Sequence, residues 1–322
     1  MRNTVKKYIK NCLNCIYHKN KGGPKEGLLY PLPKYAQPFH TLHLDHLGPF
    51  VTTKNKNKYL LVIVDSFTKF VFISAVRKTN AGSVVRELEC ICKTFGNPKR
   101  IITDAGSCFT SSKFSQYCAN RNIRLHIIAT GAPRANGQVE RFNKTILEAL
   151  KTMGADTTDD RWDQCIKALQ QGLNSSIHKT TRAVPSEVMF GYRLRTDSDS
   201  LAPDLDSEAL VDVSKLREKV DENIKANAQE QKKRFDKTRI KARRYKEGDL
   251  VLVNIQNQNN DGQSRKLLPA FKGPFKIRKT LDNDRYEIKD LRGSQRSSKI
   301  YYGTAMAENM KPWINIEDWS AL

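Results

Sequence analysis

Tyr59-Leu60-Leu61-Val62-Ile63-Val64 is an unbroken apolar run. A strand with one wet face alternates apolar and polar residues, whereas a strand covered on both faces need not. The run therefore predicts a central strand sandwiched between helical layers. After a short turn at Asp65–Thr68, Lys69–Val76 reads as a second strand, so the two form a hairpin. Upstream, Thr41–Phe50 alternates weakly and is strand-like. Downstream, Asn80 caps a helix that runs to Phe95 and is ended by Gly96-Asn97-Pro98. Arg100–Thr103 is a short strand, Ser111 or Ser112 opens a helix to about Arg121, and Arg124–Ile128 is a further strand. A Gly/Pro/Asn loop at 131–137 precedes a long helix to about Met153, and another helix spans about Asp160 to Ile177. Strands and helices in this order predict an α/β domain with a mixed sheet.

The 322 residues leave room for two or three domains, and 39% are hydrophobic. No apolar run is long enough to span a bilayer, so no membrane partner is expected. The basic start has no apolar h-region, which argues against a secretory signal. Seven scattered cysteines suit a reducing compartment better than a disulfide framework. The net charge is +22, with pI near 9.7, which calls for a polyanionic partner such as nucleic acid. The excess lies toward the two ends, around a more balanced middle. Residues 231–246 hold nine Lys or Arg and one acid. Lys232, Lys233, Arg234, Lys237, Arg239, Arg243 and Arg244 are there the candidate phosphate contacts. A merely solvated helix face is the plainer alternative.

Residues 195–208 are polar and acidic and read as a linker, followed by a helical pattern from Ser207 to about Lys241. Short strands punctuated by Gly and Pro between 247 and 316 suggest a small β-barrel, plugged by Trp313 and Trp319.

Three carboxylates carry the chemistry. Asp45 sits mid-strand in His43-Leu44-Asp45-His46, with His43 and Asp45 on the face opposite Leu42 and Leu44. Asp104 ends the strand Ile101-Ile102-Thr103, where ligands gather in α/β sheets. Glu140 lies in the first turn of the long helix, with 35 residues between it and Asp104. It lies off the apolar stripe of Val139, Phe142, Ile146, Leu150 and Met153, on a face with Asn143, Lys144, Glu148 and Lys151. Taken singly, each acid has a structural reading, as a turn Asp or a helix-dipole Glu. Together, in a very basic chain, they can hold a pair of divalent ions for phosphodiester chemistry. Lys144 and Lys151 are then placed to touch the phosphate backbone of whatever enters.

These pieces resemble the retroviral-type integrases of gypsy-type LTR retrotransposons. The matching residues are the Asp45 strand, Thr103-Asp104-Ala105-Gly106 with Phe109 after it, and Ala135-Asn136-Gly137-Gln138-Val139-Glu140-Arg141. The 35-residue gap fits the family's D,D-35-E pattern. Lys272-Gly273-Pro274-Phe275 looks like its GPY/F element, and Val184-Pro185-Ser186 through Phe190-Gly191 like a segment that follows its core. The resemblance implies a zinc module over 1–36, an RNase H-like core over 37–194, a linker and basic helix over 195–246, and an SH3-like DNA-binding domain over 247–316. It implies two Mg²⁺ or Mn²⁺ ions on Asp45, Asp104 and Glu140, DNA contacts at Asn136 and Gln138, double-stranded DNA as partner, homo-oligomers and a nuclear setting. The expected activity is end processing and strand transfer of element DNA. The competing expectation is an idle or host-adopted, integrase-derived DNA-binding protein. Cys12-Leu13-Asn14-Cys15 matches only half of the family's zinc site. No His precedes it in this sequence, so zinc is expected only where an upstream His pair exists.

Overall fold

The computed structural model describes residues 4–5, 12–31, 35–128, 137–153, 160–194, 212–254, 268–291 and 300–313, with side-chain surroundings on the 137–153 helix given for 142–152. In chain order the elements begin with α1 (Leu13–His18), β1 (Lys25–Glu26), β2 (Thr41–Leu47), β3 (Tyr59–Asp65) and β4 (Val71–Val76). Next come α2 (Ala81–Phe95), β5 (Arg100–Thr103), α3 (Ser112–Asn120), β6 (Arg124–Ile127), α4 (Gly137–Met153), α5 (Ile166–Ser175) and α6 (Pro185–Phe190). The last are α7 (Val213–Asp236), β7 (Arg239–Ile240), β8 (Leu250–Asn254), β9 (Phe271–Leu281), β10 (Arg285–Asp290), β11 (Tyr302–Met306) and β12 (Met310–Pro312). The chain divides into two compact units, residues 32–229 and residues 1–31 with 230–322. The expected linker at 195–208 lies outside the described residues.

The larger unit is built on a five-stranded sheet in the order β4-β3-β2-β5-β6. β4, β3 and β2 run antiparallel, and β2, β5 and β6 run parallel. The run at 59–64 is explained by what covers each face. Leu61 and Ile63 join Leu42 and Leu44 of β2 in a core with Val84 and Leu88 of α2 and Phe114 and Cys118 of α3. Leu60, Val62 and Val64 point the other way, into a core with Phe142 and Ile146 of α4 and Ile166 and Leu169 of α5. Alternate residues thus serve two different hydrophobic layers, and no position is left for a polar side chain. Helix starts follow local chemistry. The Asn80 side chain accepts from the Ser83 N–H at 2.8 Å, and the Ser111 hydroxyl from the Phe114 N–H at 3.3 Å, each satisfying an orphan donor of a first turn.

The edge of the sheet at β4 is closed by side chains. Asn174 of α5, 1% exposed, accepts from the Val71 N–H and donates to the Val71 carbonyl, both at 2.8 Å. Gln170 accepts from the Ile73 N–H at 2.8 Å. The helix thereby occupies hydrogen-bonding positions that would otherwise invite another strand.

The loop between β2 and β3 is tied to the 3-10 turn at Trp162–Cys165 by Asp163. Its carboxylate accepts from Thr53 (2.9 Å), Asn55 (3.0 Å) and Asn57 (2.9 Å). Burial pulls the Asp163 pKa upward, but the three side-chain donors outweigh it, so the group titrates below its ordinary value. A depressed folded pKa contributes stability above the unfolded value of about 3.9 that is lost as pH falls through the folded one. Asp163→Ala is therefore expected to lower the Tm at pH 7 by about 2–4 °C per kcal/mol lost. Thermal melts should show the gap to wild type narrowing as the pH drops below about 4. A gap of constant size would contradict the clamp.

The Val184–Gly191 segment has a packing role. Helix α6 ends at Gly191 (φ 87°), where an added Cβ would lie 2.6 Å from Val213 Cγ2. Only glycine suits that backbone and that approach. Beside it, Val220 and Ile224 of α7 pack with Phe67, Ala183 and Val188. Arg217 donates to the carbonyls of Val188 and Met189 at 3.1 and 3.0 Å. The first half of the long basic helix is thus docked on the core unit, and its sparse apolar residues are the ones that dock it.

The smaller unit holds a five-stranded antiparallel sheet in the order β11-β10-β9-β8-β12. Among the described residues β11 and β12 do not pair, so the sheet is open where a closed barrel was expected. Alternation in the sequence fixes which residues face inward, but closure depends on pairing between strands remote in the chain. Its core contains Tyr245, Phe275, Ile277, Tyr286, Ile288 and Met310. Trp313 lies by Tyr17, with ring centroids 6.0 Å apart; Trp319 lies outside the described residues. Residues 12–31 dock here through Tyr17, whose hydroxyl donates to the Gly273 carbonyl at 3.0 Å, and through β1, which pairs in parallel with β7.

Candidate active site

Strand register brings the two aspartates together. In the parallel pair of β2 and β5, Thr41 aligns with Arg100, Leu42 with Ile101 and His43 with Ile102. The paired register ends there; Asp45 lies two residues farther along β2 and Asp104 directly follows the end of β5, and both carboxylates act on the Cys108 thiol. In the antiparallel pair, Asp45 stands opposite Val62, and Val62 belongs to the layer packed against α4. Asp45 therefore lies on the face that α4 covers, as the alternation of Leu42, His43, Leu44 and Asp45 predicts.

Helix α4 reaches Asp45 through Asn143, whose Nδ2 donates to Asp45 Oδ2 at 2.8 Å. The other oxygen, Oδ1, accepts from the His46 N–H at 2.8 Å. The carboxylate is half-buried and held at both oxygens, so its orientation is fixed. Glu140 precedes Asn143 by three residues on the same helix, a spacing at which positions share a face. The Glu140 side chain itself lies outside the described residues, as does that of Gln138, and Asn136 lies outside them altogether. Asp104 is exposed just beyond β5, and its Oδ1 accepts from the Gly106 N–H at 3.0 Å.

Asn143 was not singled out for a role in the sequence. The signal was its place on the Glu140 face; its partner became visible only through the strand register. Removing an outer hydrogen-bond partner of a metal-holding group typically costs roughly 10–100-fold in metal affinity or activity. Asn143→Ala is expected to reduce strand-transfer rate within that range while leaving the melting temperature near wild type. A variant with undiminished rate would remove Asn143 from the site.

His46 backs the pair. Its ring stacks on Phe109 with centroids 5.3 Å apart, and its Nδ1 lies 3.7 Å from Cys108 Sγ. Burial holds the imidazole below its ordinary pKa, against an upward pull from Asp104. Burial likewise pushes the Cys108 thiol up, with Asp104 and Asp45 adding to it. Both groups are therefore neutral near pH 7. Hard carboxylate oxygens on adjacent strands are a donor set for Mg²⁺ or Mn²⁺ rather than for a soft metal. Among the described residues no three His, Cys, Asp or Glu form a metal-holding group; the third carboxylate, Glu140, has its side chain outside them.

The cationic candidates divide. Lys144 and Lys151 are exposed on α4, Lys144 with its ammonium 3.8 Å from Glu148. Lys233, Lys237, Arg243 and Arg244 are also exposed. Lys232 and Arg239 are engaged by protein acceptors, while Arg234 is exposed with a surface partner one turn away. Lys232 donates to the Leu29 carbonyl (2.6 Å) and Asp236 (2.7 Å), and Arg234 pairs with Glu230. Arg239 donates to the Glu26 carbonyl and to Glu308, both at 2.8 Å. Charge density along the chain could not reveal the acceptors Leu29, Glu26 and Glu308, which are far away in sequence, although Asp236 and Glu230 lie one helical turn from their partners. At the other end, the Cys15 backbone N–H, and after it the Cys15 thiol, lower the Cys12 pKa, while the hydrogen bond with the Cys12 side chain raises that of Cys15.

Residues 36–133 match the integrase core domain family, and residues 245–301 match a domain of unknown function, DUF8803. The Tf2-3 and Tf2-4 transposon polyproteins of Schizosaccharomyces pombe are each 28% identical over 295 residues, covering 89% of this chain. The chain spans 22% of the length of these polyproteins. A chain of the simian T-cell lymphotropic virus intasome, solved by cryoEM in complex with the PP2A regulatory subunit B56 gamma, superposes with a TM-score of 0.59 at 15% identity. That superposition covers 98% of this chain and 92% of the other. The likeness shows the fold: the larger unit has the RNase H-like α/β architecture of an integrase catalytic core.

Proposed function

We propose that the chain, whose residues 36–133 match the integrase core domain family and which is similar to the Tf2 transposon polyproteins, is an LTR-retrotransposon integrase that processes the ends of retrotransposon DNA and joins them to target DNA, in the manner of the gypsy-type enzymes. The observation that carries this reading is that Asp45, held by Asn143 of α4, and Asp104, just past the end of the neighbouring β5, converge on the same corner beside Cys108. Asp45, Asp104 and Glu140 are the metal-holding carboxylates. A bound pair of Mg²⁺ or Mn²⁺ ions would supply an activated oxygen nucleophile and charge relief at the leaving oxygen.

The chain's own groups do the rest. Asn143 and the His46 N–H fix the Asp45 carboxylate, so no reorientation is required when the site loads. The Gly106 N–H does the same for Asp104. The nucleophile is water in end processing and the element's 3′-hydroxyl in strand transfer, so no covalent protein intermediate is needed. Lys144 and Lys151, exposed on the helix that carries Glu140, contact the DNA backbone with Asn136 and Gln138. Lys233, Lys237, Arg243 and Arg244 add phosphate contacts from the smaller unit, which works as an SH3-like DNA-binding module despite its open sheet. Homo-oligomers in the nucleus acting on double-stranded DNA complete the reading.

A strand-transfer assay with Mn²⁺ and duplexes carrying the element's end sequence tests it. Joined products from the wild-type chain support it. Salt-sensitive DNA binding with no product under any divalent metal would favour the DNA-binding reading without catalysis.

A further inference from the structure

The smaller unit carries a second feature, on the face of its sheet away from the hydrophobic core. Ile277, Tyr286, Ile288 and Ala305 point inward, so their neighbours along the strands point to solvent. In register, Lys276 of β9 stands beside Lys289 of β10, and Lys289 beside Tyr302 of β11. Tyr302 is 59% exposed, and the Arg278 guanidinium lies 5.9 Å from its ring centroid. One aromatic ring and three cations thus share one patch of a rigid sheet. The next row, Lys279, Glu287 and Thr304, brings a single acid.

Neighbouring residues hold Tyr302 outward. Gly303 leaves room for the Tyr301 ring to fold across it, where Tyr301 meets Phe275 at 5.7 Å between centroids. Asp290, the other nearby acid, accepts from the Tyr301 N–H at 2.9 Å. Tyr301 therefore covers the core, and Tyr302, next in the chain, takes the opposite face. Other cations of this unit are spent on internal acceptors: Lys232 on Leu29 and Asp236, Arg239 on Glu26 and Glu308. Among the described residues, Lys276, Arg278 and Lys289 have no ion-pair partner.

We propose that this face binds an unpaired nucleotide at a DNA end, with Tyr302 stacking on the base and Lys276, Arg278 and Lys289 taking the adjoining phosphates. Positive charge alone would serve any duplex. An exposed aromatic ring adds energy only when a base offers its own face, and in a duplex those faces are already stacked. Such stacking tolerates any base and gives structure preference rather than sequence preference. The inference rests on the reading of the chain as a DNA-end-joining enzyme, and it assigns to the smaller unit the recognition of frayed or overhanging ends.

The test is binding by the full chain carrying Glu140→Gln, titrated with a blunt duplex and with the same duplex bearing a short single-stranded overhang. Tyr302→Ala is expected to weaken overhang binding by about 5- to 150-fold, with blunt binding changed by less than about twofold. Tyr302→Phe should keep both affinities, which also guards against a variant that merely misfolds. Lys276→Ala and Lys289→Ala should each lower the salt slope by about 1. Equal losses on both duplexes, or no loss on either, would overturn the proposal. A wild-type chain that joins ends but shows no overhang preference fails this inference alone. One that keeps the preference but yields no product fails the proposed function instead.

Discussion

Asp104→Asn and Glu140→Gln are each expected to abolish strand transfer, lowering the rate by about 10³-fold or more, or ~4 kcal/mol of barrier. The substitutions keep side-chain shape and remove one negative charge. A neutral amide oxygen is a poor ligand for a divalent ion, so the effect falls on the chemistry and not on the fold. Asp104 makes this test clean. It is exposed, and its bond from the Gly106 N–H can be accepted equally by an asparagine Oδ1. Its melting temperature should therefore match wild type. Asp45→Asn is expected to be as inactive, but it is a less clean control, because both Asp45 oxygens already accept protein donors and an amide nitrogen there would face one of them. Product formation by Asp104→Asn above about one-tenth of the wild-type rate would exclude this carboxylate from the metal site.

The largest expected stability change is at Asn174. Its amide satisfies both polar groups of Val71, in a strand whose residue 71 is fully buried. Asn174→Ala leaves a buried N–H and a buried C=O without partners, at about 1–3 kcal/mol each. At about 2–4 °C per kcal/mol for a unit of this size, the melting temperature should fall by roughly 5–20 °C. Asn174→Asp separates the two bonds: its oxygen still accepts from the Val71 N–H, while the Val71 carbonyl loses its donor and meets a charge. Both variants should also aggregate more readily on heating, since the edge of β4 is uncovered. Differential scanning calorimetry with light scattering reads both effects. A melting temperature unchanged in Asn174→Ala would mean that the edge is held by other means.

What the sequence disclosed depended on the range of the interaction. The apolar run at 59–64 announced a doubly covered strand because both layers act on consecutive residues. Asn80 and Ser111 announced helix starts because a cap bonds three residues away. The Asp45 and Asp104 settings were readable from strand alternation and strand ends. Their convergence was not, because it depends on pairing residue 43 with residue 102. Asn143 shows the same limit: its face was legible and its partner was not. Within the basic run at 231–246, Lys232 and Arg239 find acceptors at Leu29, Glu26 and Glu308, which the run itself does not announce. The tail's short strands were foreseen, whereas the open edges of their sheet depend on β11 and β12, which alternation alone cannot join or separate.

The most direct measurement is anomalous X-ray scattering from crystals of the full chain soaked in Mn²⁺. The account predicts anomalous density bridging the carboxylates of Asp45 and Asp104, with Glu140 as a further ligand, and its loss in Asp104→Asn. Manganese found only elsewhere, with Asp45 still held by Asn143 and the His46 N–H, would contradict it.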